Sequence, residues 1–365
     1  MIALFIVLVM MGGAGQSGPS FDELARQAGS AREAGQLARA AGLYERCLTL
    51  RPEWPDGWWH LGTVRYDLGE FRSAKDAFLK VAAAYPQVGS VWAYLGFTEY
   101  QLGSYAGALE NLGRARKLGL AGNPDLIFLA TFREATLLTR FSRYDEALGL
   151  FLELANDAPD NLKLAQAMGI CVLRLPKLPS ELEPGQEKAV ELAGWASIHD
   201  WIGRRQEADQ EYRELIRLYP SLANVHYAYG VFLLKSDGDA AIDEFRKELS
   251  RSPDHIASLL QISYELLKRG RPEEALPQIR HALELAPKSP SATAALGRAY
   301  LQMGKLEEAR STLEEAVVLA PDSAELHSVL TTLCFRLGRK EEARRHREIA
   351  ERLRAEHDAG APKQR

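Results

Sequence analysis

The chain has 365 residues, with 45 Lys and Arg against 49 Asp and Glu, so its net charge is −4. This balance argues against a dedicated nucleic-acid-binding protein, which usually carries a strongly basic domain or stripe. Hydrophobic residues make up 46% of the chain, which is enough for a large buried core. The cysteines Cys47, Cys171 and Cys334 are odd in number and far apart, so they predict neither a disulfide framework nor a metal site.

The N-terminal segment is typical of an export signal. Residues 2–11 are continuously apolar, and small residues at 12–15 precede polar Gln16. This apolar run is too short for a comfortable membrane span, so residues 1–16 are predicted to be a signal peptide of an exported, periplasmic or secreted protein. The first basic residue is Arg26, which departs from the usual signal pattern. The alternative is that the apolar segment is not cleaved and that the protein is cytoplasmic or membrane-anchored. The segment would then cap the array or anchor it to a membrane.

Proline recurs every 34 residues along the chain. Pro52 and Pro86 keep this step, as do Pro253, Pro287 and Pro321. Glycines inside the blocks keep the same step: Gly35, Gly69, Gly103, Gly270, Gly304 and Gly338. A period of this length indicates stacked structural repeats. Counting back from the prolines gives nine windows: 21–52, 55–86, 89–120, 128–159, 189–220, 222–253, 256–287, 290–321 and 324–357.

Each window predicts two helices joined by a turn. In the second window, Trp58 and Gly62 belong to a first helix that ends at Gly69, and Ala74 and Phe78 belong to a second helix. Apolar residues follow helical spacing in both halves. The glycine supplies a left-handed turn, and the proline ends the second helix.

These residues resemble the tetratricopeptide repeat family, whose pattern Trp-x-x-Leu-Gly, Gly, Ala-x-x-x-Phe and Pro spans 34 residues. The resemblance covers the chain from about residue 21 to residue 355. It implies an all-α fold, an α-solenoid in which helix-turn-helix units stack into a right-handed superhelix. It also implies that first helices line a concave groove for peptides or other proteins, with no cofactor and usually no catalysis.

The repeat phase breaks once. Residues 162–175 predict a first helix, but Pro176, Pro179 and Pro184 prevent a second one. The predicted organisation is therefore a four-unit array at 21–159, an orphan helix with a proline-rich loop at 160–188, a five-unit array at 189–355 and a disordered tail at 356–365. The loop is interpreted either as the remnant of a decayed repeat or as a hinge between the arrays.

Inward-facing positions of the first helices give the candidate binding residues. The predicted partner-binding positions are Trp59, Tyr66, Phe97, Tyr100, Phe132, Arg133, Arg140, Lys163, Arg174, Trp201, Tyr227, Tyr264 and Lys268. They are aromatic near the start and basic in the middle, which favours a peptide or protein partner with some acidic residues. The alternative is that the rings pack against neighbouring repeats and the charges face solvent.

The leading functional hypothesis is a non-enzymatic interaction scaffold. No phosphate-binding loop, zinc-protease motif or nucleophile elbow is present, and no cofactor, metal or nucleic acid is expected. His226 occupies a position where other repeats have Trp, so it is interpreted as a packed side chain rather than a catalytic one. The alternative function is binding of envelope polysaccharide on the aromatic residues between 59 and 100.

Overall fold

The computed structural model describes residues 19–120 and 122–360, and side chains as far as residue 356. Within these residues all regular secondary structure is helical, as the repeat pattern predicts. The chain divides into two compact units, Met1–Ala158 and Pro159–Arg365. The predicted signal segment 1–16 lies outside the described residues, as do residues 361–365 at the end of the predicted tail.

Unit 1 contains four helix pairs. Each second helix packs against its own first helix, and each of the first three also packs against the first helix of the next pair. The helices are α1 Phe21–Glu33, α2 Leu37–Leu50, α3 Pro55–Asp67, α4 Phe71–Ala84, α5 Gly89–Gln101, α6 Tyr105–Leu118, α7 Pro124–Arg140 and α8 Tyr144–Asp157.

Unit 2 contains one additional helix, a short 3-10 helix and five helix pairs. The additional helix is α9 Leu162–Val172, and the 3-10 helix is Pro179–Glu181. The pairs are α10 Glu187–Trp201 with α11 Arg205–Leu218, α12 Val225–Leu233 with α13 Gly238–Arg251, α14 Ile256–Lys268 with α15 Pro272–Leu285, α16 Pro290–Gln302 with α17 Leu306–Leu319, and α18 Ala324–Arg336 with α19 Lys340–Gly360. Because α19 extends to Gly360, the disordered tail predicted from residue 356 begins too early.

The predicted left-handed turns are confirmed. Seven first helices are followed by a glycine whose φ lies between +68° and +83°, a conformation that costs other residues more. After α7 the same turn is made by Ser142, with φ +61°. The sequence period did not identify this position, because serine carries no such preference.

Glycines inside the first helices allow close packing of the paired helix. A Cβ on Gly62 would lie 2.7 Å from the ring of Phe78, and one on Gly96 would lie 2.7 Å from Leu112. The large side chain thus fills the space above the glycine. The repeated alanines, among them Ala74, are fully buried one turn earlier in the second helix. Overpacking such a contact typically costs about 1–3 kcal/mol.

The helix predicted as an orphan has a partner. α9 packs along α10 with the two backbones in direct contact. A Cβ on Gly169 would overlap the carbonyl oxygen of Val190, and one on Gly194 would overlap that of Ala165. Glycine at these two positions therefore allows α10 to pack on α9 in the place of the missing second helix. Consequently α9 and the loop after it belong to unit 2 rather than to a separate linker.

The proline-rich loop has its own internal contacts. Leu178 is buried, with 1% of its surface exposed, and its backbone N–H donates to Glu181 Oε2 at 2.8 Å. Lys177 forms an ion pair with Glu183 at 2.6 Å, which lowers the pKa of that carboxyl. The loop is thus attached to the fold at Leu178 and closed by side-chain hydrogen bonds at its surface.

In two repeats, a tryptophan of the first helix donates a hydrogen bond to the carbonyl of the proline that ends the preceding repeat. Trp58 Nε1–H donates to the carbonyl of Pro52 at 2.7 Å, and Trp92 Nε1–H donates to that of Pro86 at 2.9 Å. These tryptophans are half-buried and pack against the hydrophobic core of unit 1.

His327 occupies the same position in the last repeat. Its Nε2 lies 3.2 Å from the carbonyl of Pro321, so Nε2 carries the proton and Nδ1 accepts. The Nδ1 of His346 on α19 lies 2.9 Å from that acceptor and therefore donates to it. Burial first, and then His327 and Arg345, lower the pKa of His346, while Glu314 and Glu342 act in the opposite direction.

This histidine pair predicts acid sensitivity of the last repeat. Because the pKa of His346 is lowered in the folded state, the unfolded chain binds its proton first as the pH falls below about 6.5. The free energy of unfolding should therefore fall between pH 7.5 and pH 5. In His346→Asn the amide can still donate to His327 but does not titrate. Urea unfolding at several pH values should give a smaller decline for this variant, and parallel declines would contradict the assignment. Burial also lowers the pKa of His60 and His255, so both the wild type and the variant should lose stability at low pH. The test is therefore the difference between the two declines rather than either decline alone.

Candidate functional site

Three of the predicted groove residues in unit 1 meet at Tyr94. The ring centroid of Tyr94 lies 5.0 Å from Trp59, 6.3 Å from Tyr66 and 5.8 Å from Phe97. We refer to these four residues as the Tyr94 cluster. Phe97 is only 4% exposed, so its prediction as a groove residue is wrong: its side chain packs inside the helix layer. The cluster connects the repeat that contains α3 with the repeat that contains α5, mainly through edge-to-face ring contacts.

The remaining predicted positions of unit 1 lie on α5 and α7. The guanidinium of Arg133 lies 4.3 Å from the ring centroid of Tyr100, a cation–π distance. Phe132 stacks on Phe128 with ring centroids 6.2 Å apart. Arg140, in the last turn of α7, is half-buried. These contacts link neighbouring side chains, and they support the alternative that part of the aromatic–basic pattern is structural.

In unit 2, the predicted positions before residue 230 do not form one site. Lys163 is exposed in the first turn of α9, and Trp201, at the end of α10, is 46% exposed. Tyr227 is only 7% exposed and packs against Phe245, so its prediction as a groove residue is wrong. Arg174 lies over the Tyr227 ring at 5.0 Å.

The last two predicted residues, Tyr264 and Lys268, lie in one cavity. This cavity has a volume of about 540 Å³ and is formed by the first helices of three consecutive repeats, α14, α16 and α18, with the turn that precedes α18. We call it the α14–α18 cavity. Its lining residues are Tyr264, Leu267, Lys268, Pro290, Ser291, Ala294, Arg298, Gln302, Ala320, Ser323, Glu325 and Leu326.

Two hydrogen bonds fix the wall between α14 and α16. Tyr264 Oη–H donates to the carbonyl of Ser291 at 3.0 Å, and Gln302 Nε2–H donates to the carbonyl of Leu267 at 2.9 Å. Burial raises the pKa of Tyr264, so its hydroxyl stays protonated and remains a donor at neutral pH. These two hydrogen bonds hold α14 and α16 together along one wall of the cavity.

The charged groups lie around an apolar surface. Leu267, Ala294 and Leu326 contribute apolar surface to the lining. Lys268 and Arg298 are the two cations, and Arg298 Nη2 forms an ion pair with Glu325. Two cations against one carboxylate give the lining an excess of one positive charge. This combination suits a ligand with an apolar group next to an anionic one.

Most of this cavity was not predicted from the sequence, since the predicted partner-binding positions include only Tyr264 and Lys268 among its lining residues. Ser291, Ser323 and Glu325 lie at the N-terminal ends of α16 and α18, whereas the predicted residues lie near the C-terminal end of α14. Ser323 does carry a readable signal, because it is the N-cap of α18: its Oγ accepts from the backbone N–H of Leu326 at 3.3 Å. A cap locates a helix end, but it does not show that the end faces a cavity.

The described residues contain no group of three or more His, Cys, Asp or Glu that could hold a metal ion. All three cysteines are buried. His226 is 5% exposed and lies 2.6 Å from Glu244, which also pairs with Lys247. This geometry confirms the interpretation of His226 as a packed residue. Among the helices described, none is long and apolar enough to cross a bilayer.

The chain is similar to known repeat proteins. Three family models described as tetratricopeptide repeat match it, one over residues 26–88 and 60–119, one over 266–333 and one over 324–348. A search of curated proteins found no match.

Among solved structures, the fragment of MamA from Desulfovibrio magneticus RS-1 that begins at its residue 41 is 25% identical. The alignment covers 47% of this chain and 97% of that one, with a TM-score of 0.42. Yeast Tom70 is 12% identical over 93% of this chain and 96% of that one, with a TM-score of 0.37. The sequence period, the paired helices with their glycine turns and the three matching models lead to one assignment: the chain contains tetratricopeptide repeats, matched over residues 26–119 and 266–348, and its fold class is an α-solenoid.

Proposed function

We propose that this protein is a non-enzymatic interaction scaffold that holds a peptide segment of a partner protein in the α14–α18 cavity. The observation that carries the proposal is the cavity itself, which three consecutive first helices line with apolar surface and two cations. The tetratricopeptide fold supports a protein as the partner. A cavity of about 540 Å³ has room for a large apolar side chain and its neighbours.

The charges of the cavity favour an acidic segment. Lys268 has 71% of its side chain exposed and lies 3.6 Å from Glu265. Arg298 presents a planar guanidinium, which suits bidentate binding of a carboxylate. The proposed ligand is therefore a peptide in which an acidic residue lies close to a large apolar one.

Peptide selection tests this proposal. A phage-displayed library of random twelve-residue peptides would be selected on the full chain, and a recovered peptide would be measured by fluorescence anisotropy. The double variant Lys268→Glu/Arg298→Glu should raise its Kd by at least about tenfold, because attraction becomes repulsion at two positions.

The matched control is Arg72→Glu/Lys80→Glu, two exposed residues on α4 in unit 1 that undergo the same change in charge. This control should bind the peptide like the wild type. A library that yields no peptide for the wild type, or equal Kd values for the two double variants, would contradict the proposed site.

The polysaccharide alternative has no observation in its favour. Sugar stacking needs an open ring face, whereas the rings of the Tyr94 cluster pack on one another. Export remains part of the proposal on the strength of the apolar run at residues 2–11. N-terminal sequencing of protein recovered from its native cells tests it: a mature start between residues 12 and 20 supports export, and an intact Met1 counts against a cleaved signal.

A further inference from the structure

The guanidinium of Arg298, in the α14–α18 cavity, is only partly hydrogen-bonded. Its Nη2 pairs with Glu325, but its Nε–H is buried and has no acceptor among the described residues. A buried donor without an acceptor is destabilising, because it has lost its hydrogen bond to water and has gained none in the protein. A carboxylate in the bidentate arrangement would accept from Nε and Nη2 together. Arg298 is therefore able to bind a carboxylate more completely than Glu325 does.

Glu325 is a weakly bound ion-pair partner of Arg298. Its side chain is 73% exposed, whereas that of Arg298 is 27% exposed. Glu325 lies on α18 and Arg298 on α16, so the ion pair connects two separate helices. An ion pair with an exposed partner is weak, because water and salt screen the attraction, so an incoming ligand can readily replace it.

We infer that Glu325 is an internal competitor for the carboxylate of the partner. In the free protein it holds Arg298, and an acidic peptide side chain displaces it and takes both Nε and Nη2. This inference rests on the proposed function and adds a specificity rule to it. Peptides that supply only apolar contacts leave the ion pair between Arg298 and Glu325 in place, whereas peptides with a correctly placed acidic residue replace it.

Removing the carboxylate of Glu325, a residue that lines the cavity, should strengthen the binding of an acidic peptide. The probes are the selected peptide and the same peptide with its acidic residues replaced by the corresponding amides. In Glu325→Gln the Kd of the acidic peptide should fall about 2- to 5-fold, the range that corresponds to the free energy of an exposed ion pair. The Kd of the amide peptide should stay unchanged.

Two variants serve as controls. Glu308→Gln makes the same change at an exposed position on α17 and should bind both peptides like the wild type. Arg298→Gln removes the group for which the two carboxylates compete. It should therefore reduce the difference between the acidic and the amide peptide to the contribution of Lys268, and in this background Glu325→Gln should have no further effect.

The outcomes separate the two proposals. If the selected peptide binds the wild type but Glu325→Gln leaves its Kd unchanged or raises it, the competitor role is wrong and the binding site stands. Equal tightening of both peptides would also overturn the inference, since the effect would then not depend on a carboxylate. If selection yields no peptide for the wild type, the proposed function fails and the competitor role fails with it.

Discussion

Gly169→Ala should destabilise unit 2 by about 3 kcal/mol or more, although alanine is the better helix former. The added Cβ would overlap the carbonyl oxygen of Val190, and a backbone oxygen cannot rotate away as a side chain can. The two helices would have to separate, which would open the layer that contains Ile170 and Ala193. The cost is therefore expected at the upper end of overpacking effects.

The matched control is Gly149→Ala on α8, where a Cβ would meet nothing within 4 Å. Here the same substitution should raise the free energy of unfolding by about 0.5–1 kcal/mol, because it only removes the flexibility of glycine in a helix. Urea unfolding followed by far-ultraviolet circular dichroism compares the two variants. If both shift the midpoint in the same direction, the close contact between α9 and α10 is wrong.

Ser291→Trp should weaken binding of the selected peptide at least about tenfold while leaving the fold intact. Ser291 lies at the start of α16, is exposed and lines the α14–α18 cavity. An indole at this position would occupy space that the ligand needs. Tyr264 bonds only the backbone carbonyl of Ser291, so the substitution keeps that hydrogen bond. Loss of a large apolar contact of this kind is worth about 1.5–3 kcal/mol, more than a tenfold change in Kd.

Ser311→Trp, an equally exposed position on α17, is the control and should bind like the wild type. Thermal melting should give similar midpoints for both tryptophan variants. Unchanged peptide binding by Ser291→Trp, in a protein that melts normally, would remove the cavity from the proposed function.

Much of the fold follows from the period in the sequence. Proline and glycine at fixed offsets act locally, by ending helices and by forming left-handed turns, so their effects can be predicted from one repeat at a time. The pairing of α9 with α10 could not be predicted in this way. It depends on two glycines that are 25 positions apart, Gly169 and Gly194, each of which makes room for a backbone carbonyl of the other helix.

The candidate site was harder to predict than the fold. The inward-facing positions were chosen by repeat register, and register does not determine how deeply a side chain is covered. Phe97 and Tyr227 have the expected register, yet they are buried by aromatic neighbours. Tyr264 and Lys268 were predicted and do line the cavity. Glu325 was missed because its contact with Arg298 joins two repeats.

The position of a bound peptide is the most direct test of the α14–α18 cavity as the binding site. The selected peptide, synthesised with a photoreactive diazirine next to its acidic residue, would be cross-linked to the full chain and the attachment sites mapped by mass spectrometry. We predict attachment within residues 264–268, 290–302 and 320–326, which line the α14–α18 cavity. Attachment confined to unit 1, or to the second helices α15 and α17, would contradict the account.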